Sequence, residues 1–370
     1  MKILIAPDKF KGVQTAREAA RNIAAGIREV LPSAILEVVP VADGGEGTTD
    51  VMCDALGGAW QQCNAHDARD RSVAAGYVWL EERETAVMEI SAVAGVQHWQ
   101  AQRCDIDQAT TFGIGEMMLA ATERGAREIV VGLGGSVTND GGFGMARALG
   151  FRFIDAAGAE LKGPVSQLRK LSRIEKPPLA STRPQVIAAA DVRNPLLGEN
   201  GATNVFGPQK GASVSLLPLL EDALERLADI IAQEFGVDYR STPGAGAAGG
   251  LAFGLMSFSG ASIRPGFEVV SEAIGLESKI RGADIVVTGE GSLDRQTLEG
   301  KAPAEVARLG RRLGKRVFAV VGRTDGDARL QKLFDGIYAV ADPSRSEEEN
   351  ISRAPELLRA GGRQLGRSLL

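Results

Sequence analysis

The sequence predicts an α/β protein: a doubly wound, mostly parallel, Rossmann-like domain formed by both chain ends, with a second α/β domain inserted between them. Residues 2–39 alternate strand, helix and strand, and residues 283–342 resume that alternation. Such units imply parallel strands joined by right-handed crossovers. The middle is more irregular, with strands of its own and one long amphipathic helix. These observations set the expected domains at 1–60 with 281–370, and at 61–280.

The elements follow in order. "KILIA" (2–6) is a short apolar run, as expected of a strand covered on both faces. Thr15 and Glu18 give the T-x-x-E capping signature, and Ala16, Ala20, Ile23, Ile27, Val30 and Leu31 follow at helical spacing until Pro32. "AILEVV" (34–39) reads as a second buried strand. "RSVAAGYVWL" (71–80) and "ETAVMEI" (84–90) read as an antiparallel pair joined by a charged turn. "REIVVGL" (127–133), which fits either domain, and "PQVIAAAD" (184–191) are strands. Residues 216–236 form an amphipathic helix closed by Gly236. "ADIVVTG" (283–289), "RVFAVVG" (316–322) and "GIYAVAD" (336–342) are strands, with a helix over 302–314. A last helix covers "EENISRAPELLRAGGRQL", interrupted at Pro355.

Composition limits the function. The 370 residues are 44% hydrophobic and 24% charged, with net charge −5 and pI near 5.4. Neither a nucleic-acid partner nor a membrane surface is expected from that balance. No run approaches the roughly 20 apolar residues of a membrane span, and "MKILIAP" is too short for a secretion signal. Cys53, Cys63 and Cys104 form no CxxC pair, so reduced thiols in a cytoplasmic protein are expected. Glycine is the unusual entry into the chain's chemistry: 46 residues, nearly twice the ordinary share of about 7%, gathered in short loops.

Open parallel sheets bind ligands beyond the carboxyl ends of their strands. There the chain places "PDKFKG" with Asp8 and Lys11, "VADGGEGT" with Asp43, Gly44, Gly45, Glu46 and Gly47, and "GGSVTNDGG" with Ser136, Thr138, Asn139 and Asp140. It also places "DVRNPL" with Asp191 and Arg193, and "GEGSLDRQT" with Gly289, Glu290, Gly291 and Asp294. Glycines let backbone N–H groups approach an anion, whereas carboxylates repel phosphate unless Mg²⁺ lies between them. Glycine beside acid therefore points to metal-assisted phosphoryl transfer onto a small acceptor, with lysines neutralising charge.

Simpler explanations apply to single residues. An Asp at a strand-to-helix turn is more often a helix cap than a catalyst. "GAGAAGG" (244–250) matches GxGxxG but follows no strand, and Gly300-Lys301 lacks the rest of a Walker loop. Only His66 and His98 exist, both away from these loops, which disfavours a Ser-His-Asp triad or a histidine-bound zinc.

Eight motifs in order, "IAPDKFKG", "PVADGGEGT", "GGSVTNDGG", "AADVRNPLLGENGAT", "FGPQKGA", "PGAGAAGGLAFG", "IRPGFEVV" and "VVTGEGSLDRQTLEGKAPAEVA", resemble the type-1 glycerate kinase family from residue 3 to about 325. Lys9 stands where that family usually has Ser, and Val137 where it usually has Ala. The resemblance implies ATP- and Mg²⁺-dependent phosphorylation of D-glycerate to 2-phosphoglycerate in glyoxylate, glucarate or galactarate breakdown. It also implies two α/β domains with the active site in their cleft.

On that basis Asp191 is expected to accept the hydroxyl proton, with Asp43 or Asp294 as alternatives. Asp43, Glu46, Glu290 and Asp8 are metal candidates; Lys11 and Lys210 would stabilise the transferring phosphoryl group. Arg193 or Arg264 would clamp the glycerate carboxylate. The expected partners are ATP and D-glycerate alone, with a monomer or homodimer in solution. A 3-kinase, a kinase or phosphatase of another hydroxy acid such as hydroxypyruvate or tartronate, and a non-catalytic glycerate or nucleotide sensor are the competing readings. A dehydrogenase is weaker, because the glycine pattern sits in the wrong context.

Overall fold

A computed structural model describes residues 1–96, 105–178 and 183–370; His98 and Cys104 lie outside these. Its strands are β1 (Lys2–Ile5), β2 (Ile35–Val38), β3 (Ala59–His66), β4 (Ser72–Leu80), β5 (Thr85–Glu89), β6 (Glu128–Gly132), β7 (Arg152–Asp155) and β8 (Leu171–Glu175). They continue with β9 (Gln185–Ala189), β10 (Ser262–Arg264), β11 (Ile285–Thr288), β12 (Ser292–Leu293), β13 (Arg316–Val321), β14 (Arg323–Thr324) and β15 (Gly336–Ala339). The fold is α/β, with parallel sheets flanked by helices. The chain divides into two compact units, 1–43 with 50–56 and 266–370, and 44–49 with 57–265.

The first unit holds a sheet ordered β15-β13-β11-β1-β2, parallel throughout. Ile3, Ile5, Val287, Phe318 and Val320 are buried from it against Ala19, Ala20, Ile23 and Ile27 of the helix Ala16–Val30, and against Leu358 and Leu365 of the helix Ala354–Ser368. The capping box starts the first of these helices as the sequence predicts: Glu18 N–H donates to Thr15 Oγ1, and Thr15 N–H to Glu18 Oε2. The two helices approach to backbone distance. A Cβ on Gly26 would stand 1.9 Å from Arg359 O, and one on Gly362 2.3 Å from Ile23 O. Pro355 falls in the first turn of Ala354–Ser368, separate from Glu347–Ser352, where its missing N–H costs nothing. β2 is not the buried strand expected. It is the sheet's edge, with Ile35 64% exposed.

The second unit holds a sheet ordered β10-β9-β6-β5-β4-β3. β10, β9, β6 and β5 run parallel, while β5, β4 and β3 are antiparallel. "REIVVGL" thus belongs here, near the centre as β6. The helix Leu217–Phe235 buries Leu220, Leu224, Leu227 and Ile231 and ends on Gly236 at φ 70°, a left-handed position that costs glycine little. Phe143, Phe153, Phe151 and Phe258 form an aromatic core with edge-on and tilted contacts. β3, the hairpin of β7 with β8, β10 and the two-residue strands β12 and β14 were not predicted. They are short or largely polar, and their strand character comes from the strands they pair with rather than from their own pattern. Cys53 and Cys63 form no disulfide. Among the described residues no helix is long and apolar enough to cross a membrane.

Candidate active site

The first unit gathers acids at the carboxyl ends of three adjacent strands, β11, β1 and β2. Asp8 follows β1, Asp43 follows β2 and Glu290 follows β11; Asp8 and Glu290 are buried. Burial, then the Asp43 carboxylate, pushes Asp8 up to about 8 from the usual 3.8, with Glu290 adding to the rise and Lys9 opposing it. Burial pushes Glu290 up to about 7, although Thr297 Oγ1 donates to it at 2.7 Å and Lys301 Nζ lies 3.7 Å away. Neighbouring carboxylates thus add to the cost of ionising Asp8 and Glu290, and the nearby cations do not cancel it.

Other residues expected here have structural roles. Asp294 caps the short helix Arg295–Glu299, its carboxylate accepting from Gln296 N–H at 2.9 Å and Ser292 Oγ at 3.1 Å. Gly289 was expected on phosphate. A Cβ there would stand 2.0 Å from Val320 O, and its carbonyl accepts Asp8 N–H at 2.9 Å. Gly291 likewise meets the chain, because a Cβ on Gly322 would stand 2.4 Å from its carbonyl. Lys11 is exposed.

In the second unit the glycine loops already hold anions, and the anions are the protein's own. Glu89, at the end of β5, is buried and accepts N–H from Gly47 (3.2 Å) and Thr49 (2.8 Å) and hydroxyls from Thr49 (2.8 Å) and Ser91 (2.9 Å). Asp140 is buried too. It accepts N–H from Thr111 (2.9 Å), Gly142 (3.0 Å) and Gly144 (3.0 Å) and the Thr111 hydroxyl at 2.8 Å. Burial raises the Asp140 carboxyl while these donors pull it back.

Gly44, Gly45, Gly47 and Asp140 were expected on phosphate, and the contacts seen at each of them lie within the protein. Gly47 donates to Glu89. Gly44 and Gly45 lie where a Cβ on Gly132 or Gly134 would come within 2.8 Å of Gly44 O or 2.4 Å of Gly45 Cα. These glycines permit close backbone approach. The segment 244–250 does the same: a Cβ on Gly249, at φ +66°, would stand 2.0 Å from Thr138 O.

Thr138 and Asn139 are also buried and turned inward, Thr138 Oγ1 to Ala248 O and Asn139 Nδ2 to Thr203 Oγ1 at 3.0 Å. Ser136 differs. Its hydroxyl accepts from Lys210 Nζ at 3.1 Å, and Thr138 O accepts from the same nitrogen at 2.7 Å. Desolvation brings Lys210 down to about 7 from 10.5. Lys210 forms no ion pair among the described residues. Asp191 follows β9 and is partly exposed, Arg193 is exposed, and Arg264 ends the adjoining strand β10. These groups therefore end neighbouring parallel strands in one unit.

Among the described residues no group of three His, Cys, Asp or Glu side chains is placed to hold a metal ion. The set Asp43, Glu46 and Glu290 is therefore not a protein cage. Mg²⁺ ordinarily takes only one or two carboxylates, with phosphate oxygens and water completing its shell, so no such cage would be needed. Sequence reasoning missed Glu89 and Lys301. Glu89 carried the same signal as the others, an acid ending a parallel strand, but its strand was read only as half of a hairpin.

Comparisons with known proteins agree on one relationship. A model of the glycerate kinase family matches residues 3–370. The glycerate 2-kinase of Escherichia coli K12 is 38% identical over 365 residues, covering 96% of each chain. The glycerate kinase of Bacillus subtilis 168 is 37% identical over 373 residues, covering 100% of this chain and 98% of its own. A crystal structure from Salmonella typhimurium LT2, assigned as a glycerate kinase 2, superposes with a TM-score of 0.88 at 37% identity, covering 100% of this chain and 98% of that one.

Proposed function

The chain belongs to the glycerate kinase family, and from that premise we propose that it transfers the terminal phosphoryl group of ATP to the 2-hydroxyl of D-glycerate, giving 2-phosphoglycerate. The observation that carries the chemistry is the crowded acid set of the first unit. The Asp43 carboxylate lies close enough to raise both Asp8 and Glu290, and Glu290 close enough to raise Asp8, an arrangement that favours a bound divalent cation. Asp8 and Glu290 are the carboxylates we assign to Mg²⁺ with its nucleotide phosphates. Magnesium, when bound, neutralises charge on the transferring group.

Lys301 beside Glu290 and Lys9 beside Asp8 supply further positive charge at these loops. In the second unit, Arg264 and Arg193 at the ends of β10 and β9 suit the glycerate carboxylate, which a guanidinium grips in two places. The 2-hydroxyl assignment is supported by the Escherichia coli relative, named a glycerate 2-kinase.

The test is direct. Purified protein is mixed with ATP, Mg²⁺ and D-glycerate, and the products are identified by phosphorus NMR. ADP with 2-phosphoglycerate is expected. 3-Phosphoglycerate would overturn the regiochemistry, turnover only with hydroxypyruvate or tartronate would overturn the substrate, and binding without turnover would indicate a sensor.

A further inference from the structure

We infer that the ε-amine of Lys210 is the group that takes the proton from the acceptor hydroxyl, a role the sequence gave to Asp191. The inference rests on the kinase reading above. Lys210 sits on the turn Pro208–Lys210, between Gly207 and Gly211 at φ +94°. Its nitrogen has two acceptors, Ser136 Oγ at 3.1 Å and Thr138 O at 2.7 Å. Those two match the two N–H bonds of a neutral amine and leave its lone pair uncommitted. An ammonium would carry a third N–H, which water would have to accept at this half-buried side chain.

The electrostatics agree with this count. Burial outweighs the opposing pull of Asp140, which favours the ammonium but whose carboxylate four donors already occupy. Burial brings the amine to about 7, where a general base works best near neutral pH. Lys210 also meets the loop that follows β6, a central parallel strand of its sheet, and ligands are held beyond such strand ends.

The step balances as follows. The acceptor O–H bond breaks and its proton joins the Lys210 lone pair. The oxygen's electron pair forms a bond to the terminal phosphorus of a nucleoside triphosphate. The bond from that phosphorus to the bridging oxygen breaks, and the nucleoside diphosphate leaves with its electrons. The ammonium returns the proton to water once product departs.

Lys210→Arg separates a base from a mere cation, because it keeps charge and donors but cannot release a proton at working pH. We expect Lys210→Arg and Lys210→Ala each to lower kcat at least ~100-fold. Added primary amines should partly restore Lys210→Ala, in proportion to their free-base form, and the wild-type kcat/KM should fall below about pH 7. If Lys210→Ala does not fold, Lys210→Met keeps the volume and is read in the same way. An active Lys210→Arg overturns the inference alone, as does a Lys210→Ala enzyme that amines never rescue while Asp191→Asn is inactive. A wild type that makes no phosphoglycerate overturns the kinase reading and this inference with it.

Discussion

The two units use one sequence device, glycine and acid at the end of a strand, for opposite ends. In the second, Glu89 and Asp140 each accept four hydrogen bonds from nearby loops. In the first, burial and then neighbouring carboxylates, Asp43 among them, hold Asp8 and Glu290 far above the usual carboxylate range. A buried carboxylate saturated by backbone donors is fold. Buried carboxylates that repel one another are a cost the fold bears for something it binds.

The largest effect should come from the first unit. Asp8→Asn or Glu290→Gln should lower kcat at least ~100-fold, the range of a lost transition-state contact, while the melting temperature stays level or rises. Coupled measurement of ADP release and thermal unfolding checks both halves. Near-normal turnover in either variant would erase the contrast between the units.

Glu89→Ala should reverse that pattern. It takes the acceptor from two N–H groups and two hydroxyls, at a cost of about 3–5 kcal/mol by analogy with breaking one side of a buried charged contact. Glu89→Gln keeps one acceptor and should lose about 1–2 kcal/mol. Urea titrations give both values. If Glu89→Ala kept full stability, the carboxylate would not be the loop's anchor.

The contrast also shows what the sequence could reveal. Elements set by nearby residues were legible: the Thr15–Glu18 capping box, the apolar stripe of Leu217–Phe235, its stop at Gly236, and the central strands β1, β11 and β13. The loops were correctly singled out as dense in acid and glycine, but not sorted. Glu89 is 40 residues from Thr49 and Asp140 29 from Thr111, so no local pattern tells a plug from a ligand site. β3 was missed for a different reason, since its partner is the next strand in the chain. "AWQQCNAH" has little apolar alternation, and its strand character comes from pairing with β4.

A smaller effect tests the close approach of the second unit's loops. Gly134→Ala would put a Cβ 2.4 Å from Gly45 Cα, a backbone atom with no rotamer to yield. About 1–3 kcal/mol should be lost, the usual cost of overpacking. Unchanged stability would mean that the GGEGT and GGSVT loops are not held against each other.

The mildest prediction, a few degrees in melting temperature, turns on sign. Asp8 has its folded value raised to about 8 from 3.8, so the native chain keeps a proton the unfolded chain has lost. Its contribution is fully present below about 4 and is lost as pH rises to about 8. Lys210 runs the other way. Its folded value is lowered to about 7 from 10.5, so its contribution improves as pH rises from about 7 to 10.5. Asp8→Asn should flatten the fall on the acid side of neutrality, and Lys210→Met the rise on the basic side. Melting curves from pH 4 to 10 read both slopes. If Asp8→Asn left the acid-side slope unchanged, the first unit's acids would be at ease as they stand, and the difference between the two units would vanish.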